Sequence, residues 1–327
     1  MVTSVLSPIH TIPVIDIGGL RSPDWAERKA VAAHLRKASH EVGFFYIANH
    51  GIDAALVDQI FAESHRFFAL PDADKLEISI QHSPISSGYE PLKHQTLDLN
   101  AAPDLKESIY IGLHRGPDDP LVQANTPNHG PNLYSRNLPG WREVVEQYFA
   151  AMLNLSYQLM RGLALSLDLE EHHFDPLADD PMPILRLLHY PPHPVQADDR
   201  TWGCGAHTDW GCLTILLQDA AGRLEVKTAS GDWIAAEPIP DTFVINIGDM
   251  MARWTNDYYQ STPHRVVNRS GGDRYSVPFF FDINYHALVE CLPTCQSETN
   301  PPKYPPITAG DHIVEMYQKT YQRVMGA

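Results

Sequence analysis

Gly203-Cys204-Gly205-Ala206-His207-Thr208-Asp209-Trp210-Gly211-Cys212, running into Leu213-Thr214-Ile215-Leu216-Leu217, is the stretch on which the fold and the chemistry turn. The glycines read as a loop, and the run after Cys212 is strongly β-prone. Strand side chains alternate between faces, so His207 and Asp209, two apart, are expected to point the same way. A third candidate, His264, follows Pro263 and precedes Val266-Val267, which places it at another strand edge. Two imidazoles and one carboxylate suit a non-haem Fe(II) centre with open positions for O2 and a chelating molecule. Ten residues further on, Arg274 and Ser276 share a strand face with Phe280. Arginine presents a planar fork that grips a carboxylate bidentately, and serine adds a hydroxyl.

With 17 histidines and 40 acidic residues in 327, a lone His-x-Asp carries little weight. Its setting and the ordered appearance of His264, Arg274 and Ser276 give it weight. Val277 and the Phe279–Phe281 run mark the strand of Arg274 as buried, where an unpaired charge is costly. No acid lies two or four residues from Arg274, which invites a carboxylate from a ligand. His172, His173, His189, His193, His286 and His312 are assigned to no metal. His172 and His173 end a helix near Asp175 and are expected to be solvated, His189 alternates away from Tyr190 and Leu188, and His193, His286 and His312 lack a same-face acid at ligand spacing.

The composition is 43% hydrophobic and 20% charged, an ordinary globular profile. A formal net charge of −16 with no basic stripe argues against a nucleic-acid partner. No stretch approaches the roughly 20 apolar residues needed to span a bilayer, and Met1–Pro8 has neither a basic nor an apolar signal region. Cys204, Cys212, Cys291 and Cys295 show no metal-type pairing and suggest a reducing cytoplasm.

Along the chain, Ile12–Ile15 and Phe44–Ile47 read as strands, and Trp25–Glu41 and the segment from Asp53 to Pro71 as helices. Residues 81–139 are irregular apart from a strand at Glu107–Leu113, and such segments often form lids. A long helix runs from Trp141 towards Leu167, its stripe of Tyr148, Met152, Leu155, Leu159 and Leu163 facing the core. Short strands follow at Ile184–Tyr190, Leu213–Gln218, Leu224–Lys227, Phe243–Ile247, His264–Asn268 and Tyr275–Ile283. A last helix spans Gly310–Met325, with Ile313, Tyr317 and Val324 inward. The pattern predicts an α+β, mainly β chain: a double-stranded β-helix (a cupin-like jelly roll) with flanking N- and C-terminal helices. Residues 1–327 form one catalytic unit, with an N-terminal region at 10–125, a support helix at 140–168, the jelly-roll core at 181–285 and the final helix at 310–325.

HTDWGCLTILLQD (207–219), STPHRVVN (261–268), RYS (274–276) and LRLLHYPP (185–192) resemble the isopenicillin-N-synthase-like branch of iron(II)/2-oxoglutarate-dependent dioxygenases. The resemblance covers most of the chain: IPVIDIGGL (12–20), GFFYIANHGI (43–52), FFALP (67–71), GYEP (88–91) and DLKESIYIG (104–112) match the N-terminal region of that family. It implies Fe(II) on His207, Asp209 and His264, and 2-oxoglutarate chelated to the iron with its far carboxylate on Arg274 and Ser276. It also implies that Tyr190 hydrogen-bonds this cosubstrate. O2 is consumed, 2-oxoglutarate leaves as succinate and CO2, and a small-molecule substrate is hydroxylated or desaturated. Phe280 matches a position that commonly lines the substrate pocket. Arg186 and Leu188 share the strand face of Tyr190, and Tyr89 is a further pocket candidate. Arg186 equally suits an ion pair with an acid such as Glu107.

Plant members that oxidise flavonoids often carry Asn-Tyr-Tyr where this chain has Leu188-His189-Tyr190, which lowers the expectation of their substrates. LRLLHYP, GDMMARWTND (248–257) and HRVV look closer to microbial members, including fungal pyrimidine hydroxylases. Other readings stay open at this point. An oxidase of the same fold can keep Arg-x-Ser without using 2-oxoglutarate, and an ethylene-forming enzyme fragments 2-oxoglutarate itself. A non-catalytic cupin-like binding protein is a different class, and the complete triad and clamp weigh against it.

Overall fold

The computed structural model describes residues 11–325 except 84, 86, 99, 100, 194–201, 269 and 270, with backbone alone over 319–325. Met1–Pro8 and the side chain of Val324 lie outside the described residues. The N-terminal part contains β1 (Val14–Asp16), α1 (Trp25–Glu41), β2 (Phe44–Ala48), α2 (Ala54–Phe68) and α3 (Asp72–Leu76). Then come β3 (Gly88–Glu90), β4 (Glu107–Gly112), α4 (Pro120–Gln123) and α5 (Trp141–Ser166). The β-rich part holds β5 (Ile184–Tyr190), β6 (Cys204–His207), β7 (Leu213–Gln218), β8 (Leu224–Lys227), β9 (Trp233–Ala235) and β10 (Phe243–Ile247). After α6 (Asp249–Trp254) the chain forms β11 (His264–Val266), β12 (Arg274–Phe281), β13 (Leu288–Val289), β14 (Ile307–Thr308) and α7 (Ala309–Met325).

Local chemistry explains the first helices. The Asp24 carboxylate accepts the Ala26 N–H at 2.8 Å and starts α1, and Asp53 does the same for α2 through Ala55 at 2.9 Å. Gly43 ends α1 with φ of 72°, and a Cβ there would lie 2.1 Å from the Gln260 carbonyl oxygen. The turn demands glycine twice over, by backbone conformation and by space.

Twelve of the strands form two facing sheets, the double-stranded β-helix that the pattern predicts, and β13 pairs with β14 apart from them. The larger has the order β1-β2-β10-β7-β12-β5-β4-β3, the smaller β6-β11-β8-β9. All neighbours are antiparallel except β1 and β2. Alternation along β12 divides its side chains. Val277, Phe279 and Phe281, all fully buried, face the helices, where Phe149 meets Phe279 edge-on at 5.2 Å. Arg274, Ser276 and Phe280 face the smaller sheet instead. The stripe Tyr148, Met152, Leu155, Leu159 and Leu163 of α5 is buried in the helix-side core, as its spacing predicts. Among the described residues no helix is long and apolar enough to cross a membrane, and the four cysteines are free.

Several elements differ from expectation. Of Gly203–Ala206, expected as a loop, Cys204–Ala206 join His207 in strand β6, since pairing with β11 overrides the local glycines. Asp209 consequently lies beyond the strand end. Helix α6 and strands β3 and β9 were not expected. Each has six residues or fewer, too short for a periodicity to develop.

A buried polar knot sits on the helix side. Glu107 accepts from Lys75 Nζ at 2.8 Å, Tyr89 Oη at 2.6 Å and His189 Nδ1 at 2.7 Å, and His189 Nε2 reaches Asp273 at 2.8 Å. Burial pushes the His189 imidazole down, but the hydrogen bonds to Glu107 and Asp273 outweigh it and raise its pKa above the usual value. The resulting stability is fully present below the unfolded imidazole value of about 6.5 and disappears as pH rises through the raised folded value. The Tm difference between wild type and His189→Gln should therefore be largest below about pH 6.5 and shrink at alkaline pH. A difference that stays constant with pH in thermal melts counts against this. Leu155→Ala, at a fully buried site, should cost about 2–5 kcal/mol in urea denaturation.

Candidate active site

Between the two sheets lie two adjoining chambers. The inner one, about 70 Å3, is walled by Leu188, Tyr190, Arg274 and Ser276 from the larger sheet and by Cys204, Leu224 and Val266 from the smaller. The outer one, about 110 Å3, is lined by Gln95, Tyr110, Trp210 and Asp282, with Ile313 and Tyr317 of α7 over it. Arg186, His207, Asp209 and Phe280 belong to both.

His207, Asp209 and His264 converge at this junction, their ligand atoms all within 4.8 Å of one another. His207 and His264 are directly opposed across β6 and β11. Asp209 Oδ1 lies 3.7 Å from the Nε2 atom of each. The orientation of every ligand is enforced from behind. His207 Nδ1 bonds the Gly205 carbonyl at 2.8 Å and His264 Nδ1 the Thr262 carbonyl at 3.2 Å, so both rings turn Nε2 to the centre. Asp209 Oδ2 accepts from Thr214 Oγ1 at 2.5 Å and Asn246 Nδ2 at 2.7 Å, which leaves Oδ1 for a cation. Phe44 meets the His264 ring edge-on at 5.2 Å.

Burial pushes His207 down, and burial followed by the neighbouring His207 pushes His264 down to about 4. Both imidazoles are therefore neutral near pH 7, the form that binds a metal. For Asp209, burial pushes the pKa up, but the two imidazoles and the Thr214 and Asn246 hydrogen bonds outweigh it. Two neutral imidazoles and an ionised carboxylate fit Fe(II).

Arg274 is only 1% exposed. Its Nε donates to the Gly222 carbonyl and its Nη1 to Ser276 Oγ at 3.0 Å, and its guanidinium lies 4.7 Å from the centre of the Tyr190 ring. Among the described residues no carboxylate pairs with it. No partner is found among them for the Tyr190 hydroxyl either.

The pocket candidates divide. Leu188 lines the inner chamber, and Arg186 and Phe280 both chambers. Arg186 pairs with Glu90 at 2.7 Å rather than with Glu107, and also donates to Ser108 Oγ at 2.9 Å. Burial raises Glu90, but His94 and Arg186 hold its carboxyl at about 2. Tyr89 lines neither chamber. It alternates to the helix side, where its hydroxyl donates to Glu107 and its ring lies 6.0 Å from Phe67. His189 points away from the centre, as expected.

Thr214, Asn246 and Lys106 escaped the sequence reading. Lys106, buried and lining the inner chamber, donates to Asp104 and lies 3.3 Å from Cys204 Sγ. It directly precedes β4, whose strand was expected from Glu107, and continuing the alternation of Ser108 and Tyr110 back by one step places it on that face.

A double-stranded β-helix closing on a two-histidine, one-carboxylate centre defines a non-haem iron oxygenase fold and site. The profile described as the 2OG-Fe(II) oxygenase superfamily matches residues 181–283, and that of the non-haem dioxygenase in morphine synthesis N-terminal region matches residues 12–137. The chain is 39% identical over 316 residues to the 2-oxoglutarate-Fe(II) type oxidoreductase hxnY of Emericella nidulans, covering 95% of this chain and 90% of the relative. It is 37% identical to the homoarginine-6-hydroxylase 2-ODD-233 of Oryza sativa subsp. japonica, covering 94% and 97%. A full-length Neurospora crassa protein solved in complex with alpha-KG superposes with a TM-score of 0.85 at 31% identity, covering 95% and 96%. This protein belongs to the 2-oxoglutarate-Fe(II) oxygenase family, and is an Fe(II)- and 2-oxoglutarate-dependent oxidoreductase.

Asp209→Ala should abolish stoichiometric iron binding, read by metal analysis, while the circular-dichroism spectrum is kept. Thr214→Val or Asn246→Ala should weaken iron affinity by about 10–100-fold. Unchanged iron content in Asp209→Ala refutes the ligand set.

Proposed function

We propose that this protein hydroxylates, or desaturates, a small organic substrate held in the outer chamber while 2-oxoglutarate occupies the inner one. Iron and 2-oxoglutarate supply the oxygen-activating chemistry when bound, the cosubstrate leaving as succinate and CO2. His207, Asp209 and His264 hold the metal, and Arg274 with Ser276 grips the far carboxylate of the cosubstrate. The observation that carries this reading is Arg274, a buried guanidinium with no carboxylate partner among the described residues, in a cavity that also holds the triad. Burial of such a charge is costly unless a counter-charge arrives, and a ligand dicarboxylate supplies it. Tyr190, stacked beside the guanidinium, offers its hydroxyl to the same ligand. Leu188, Phe44 and Val266 keep water from the inner chamber.

Arg186, Phe280, Trp210 and Tyr317 position the organic substrate. The Neurospora crassa protein has also been solved with thymine and with 5-formyluracil, and the rice relative is named for homoarginine, so small nitrogen-bearing molecules form the favoured class. Gln95, Lys106, Arg186 and His207 line these chambers from both sequence regions, 10–125 and 181–285, which supports one catalytic unit. Four free thiols and the lack of a bilayer-spanning helix among the described residues suit a reducing compartment, the cytoplasm.

Succinate release from 2-oxoglutarate, by enzyme loaded anaerobically with Fe(II) and then given oxygen, tests the reading. Arg274→Ala should raise the KM for 2-oxoglutarate by about tenfold or more, as loss of a charge-assisted pair predicts. An unchanged KM removes Arg274 from the cosubstrate site. Iron-loaded protein that oxidises a substrate without consuming 2-oxoglutarate is instead the cosubstrate-independent oxidase.

A further inference from the structure

Among the described residues, the charged groups around the two chambers can be matched one by one, and the match leaves two over. Arg186 is paired with Glu90 at 2.7 Å, and Lys106 with Asp104. Asp209 serves the metal. Arg274 remains in the inner chamber, the place given above to a dicarboxylate. Asp282 remains in the outer one.

Asp282 follows the last residue of β12 and is 7% exposed. Its Oδ1 accepts one hydrogen bond, from the Cys212 N–H at 3.1 Å. Among the described residues no cation, hydroxyl or amide reaches Oδ2. The carboxylate is also held rigidly. A Cβ on Gly211 would fall 1.8 Å from Oδ1, so the backbone of the metal-ligand loop closes directly on it. Asp282 O accepts the Met182 N–H at 3.0 Å and anchors the strand end. Satisfying the Cys212 N–H needs only a neutral acceptor, which asparagine provides equally well. A full carboxylate buried here carries a desolvation cost that, among the described residues, only the single Cys212 hydrogen bond offsets in part. Burial, with Asp209 nearby, accordingly pushes its pKa up to about 7. A hydrogen-bond donor entering the outer chamber removes that cost.

We infer that Asp282 is a substrate-binding residue whose carboxylate receives an N–H group, cationic or neutral, of the organic molecule in the outer chamber. The inference rests on the placement of substrate and cosubstrate proposed above, and deepens it by setting the substrate class. Substrates lacking an N–H leave the carboxylate buried and unmatched, and a site built around a polar partner rejects the analogue without it.

The test is anaerobic titration of the Fe(II)–2-oxoglutarate enzyme, followed by the visible charge-transfer absorption of the iron–cosubstrate pair, which shifts when a molecule enters beside it. Three probes are used: methylguanidine (a cation), thymine (a neutral ring with two N–H groups) and N,N′-dimethylated thymine (the same ring with none). At least one N–H probe should bind about tenfold or more tightly than the dimethylated ring. Asp282→Asn, which keeps shape and the Cys212 acceptor, should weaken methylguanidine by about tenfold or more if the carboxylate pairs with a cation, and thymine if it accepts from a neutral ring. The wild-type comparison stands without the variant if Asp282→Asn folds poorly. Equal binding of the dimethylated ring, silence towards both N–H probes, or unaltered affinities in a folded Asp282→Asn overturns the inference. Absence of the charge-transfer absorption in wild type overturns the cosubstrate reading itself, so the two failures are distinguishable.

Discussion

The Asp209 carboxylate is the point on which the two sheets and the chemistry both depend. Its Oδ1 sits between the imidazoles of His207 and His264, and its Oδ2 is held by Thr214 of β7 and Asn246 of β10. One side chain thus ties the end of β6 in the smaller sheet to two strands of the larger. Freed from either donor, a buried carboxylate rotates or loses its ionised form, and both outcomes remove a metal ligand. The backbone repeats the constraint, for the Asp209 carbonyl accepts the Asp249 N–H at 2.8 Å and locks the metal loop onto the start of α6.

Around this point the charges are segregated. Each buried ionic group that the site does not use has a near partner: Lys106 with Asp104, Arg186 with Glu90, Glu107 with Lys75 and His189. Pairing cancels their fields locally, so the chambers are left with few uncompensated groups. Arg274 and Asp282, of opposite sign and in different chambers, are the groups that the proposed dicarboxylate and N–H donor would meet. Opposite signs at the two ends also oppose binding the molecules the wrong way round.

Much of this was legible from the chain. The His-x-Asp motif, His264 and the Arg-x-Ser pair carry their chemistry in residue type and short spacing, and strand alternation placed Arg274, Ser276 and Phe280 on one face. The same rule put His189 on the other side from Tyr190. It had no purchase on Tyr89, because β3 has three residues, was not expected as a strand, and has its facing set by pairing with β4, with Tyr89 opposite Ile109. Proximity of Arg186 to an acid was foreseen, but the choice of Glu90 over Glu107 was not. That choice depends on which side of β4 each acid approaches.

Residue type and local period therefore determine the metal ligands, the Arg274–Ser276 pair on one strand face, the helix starts at Asp24 and Asp53 and the core stripe of α5. These rest on properties that a residue carries with it: ligand atoms, charge, hydrogen-bonding capacity and side-chain direction within one element. Pairing β6 with β11, bringing Thr214 and Asn246 behind Asp209, and leaving Asp282 without a counter-charge among the described residues are decided only by the tertiary structure. Each depends on groups 5 to 70 residues apart meeting across strands, and long-range proximity has no signature in the local order of the chain.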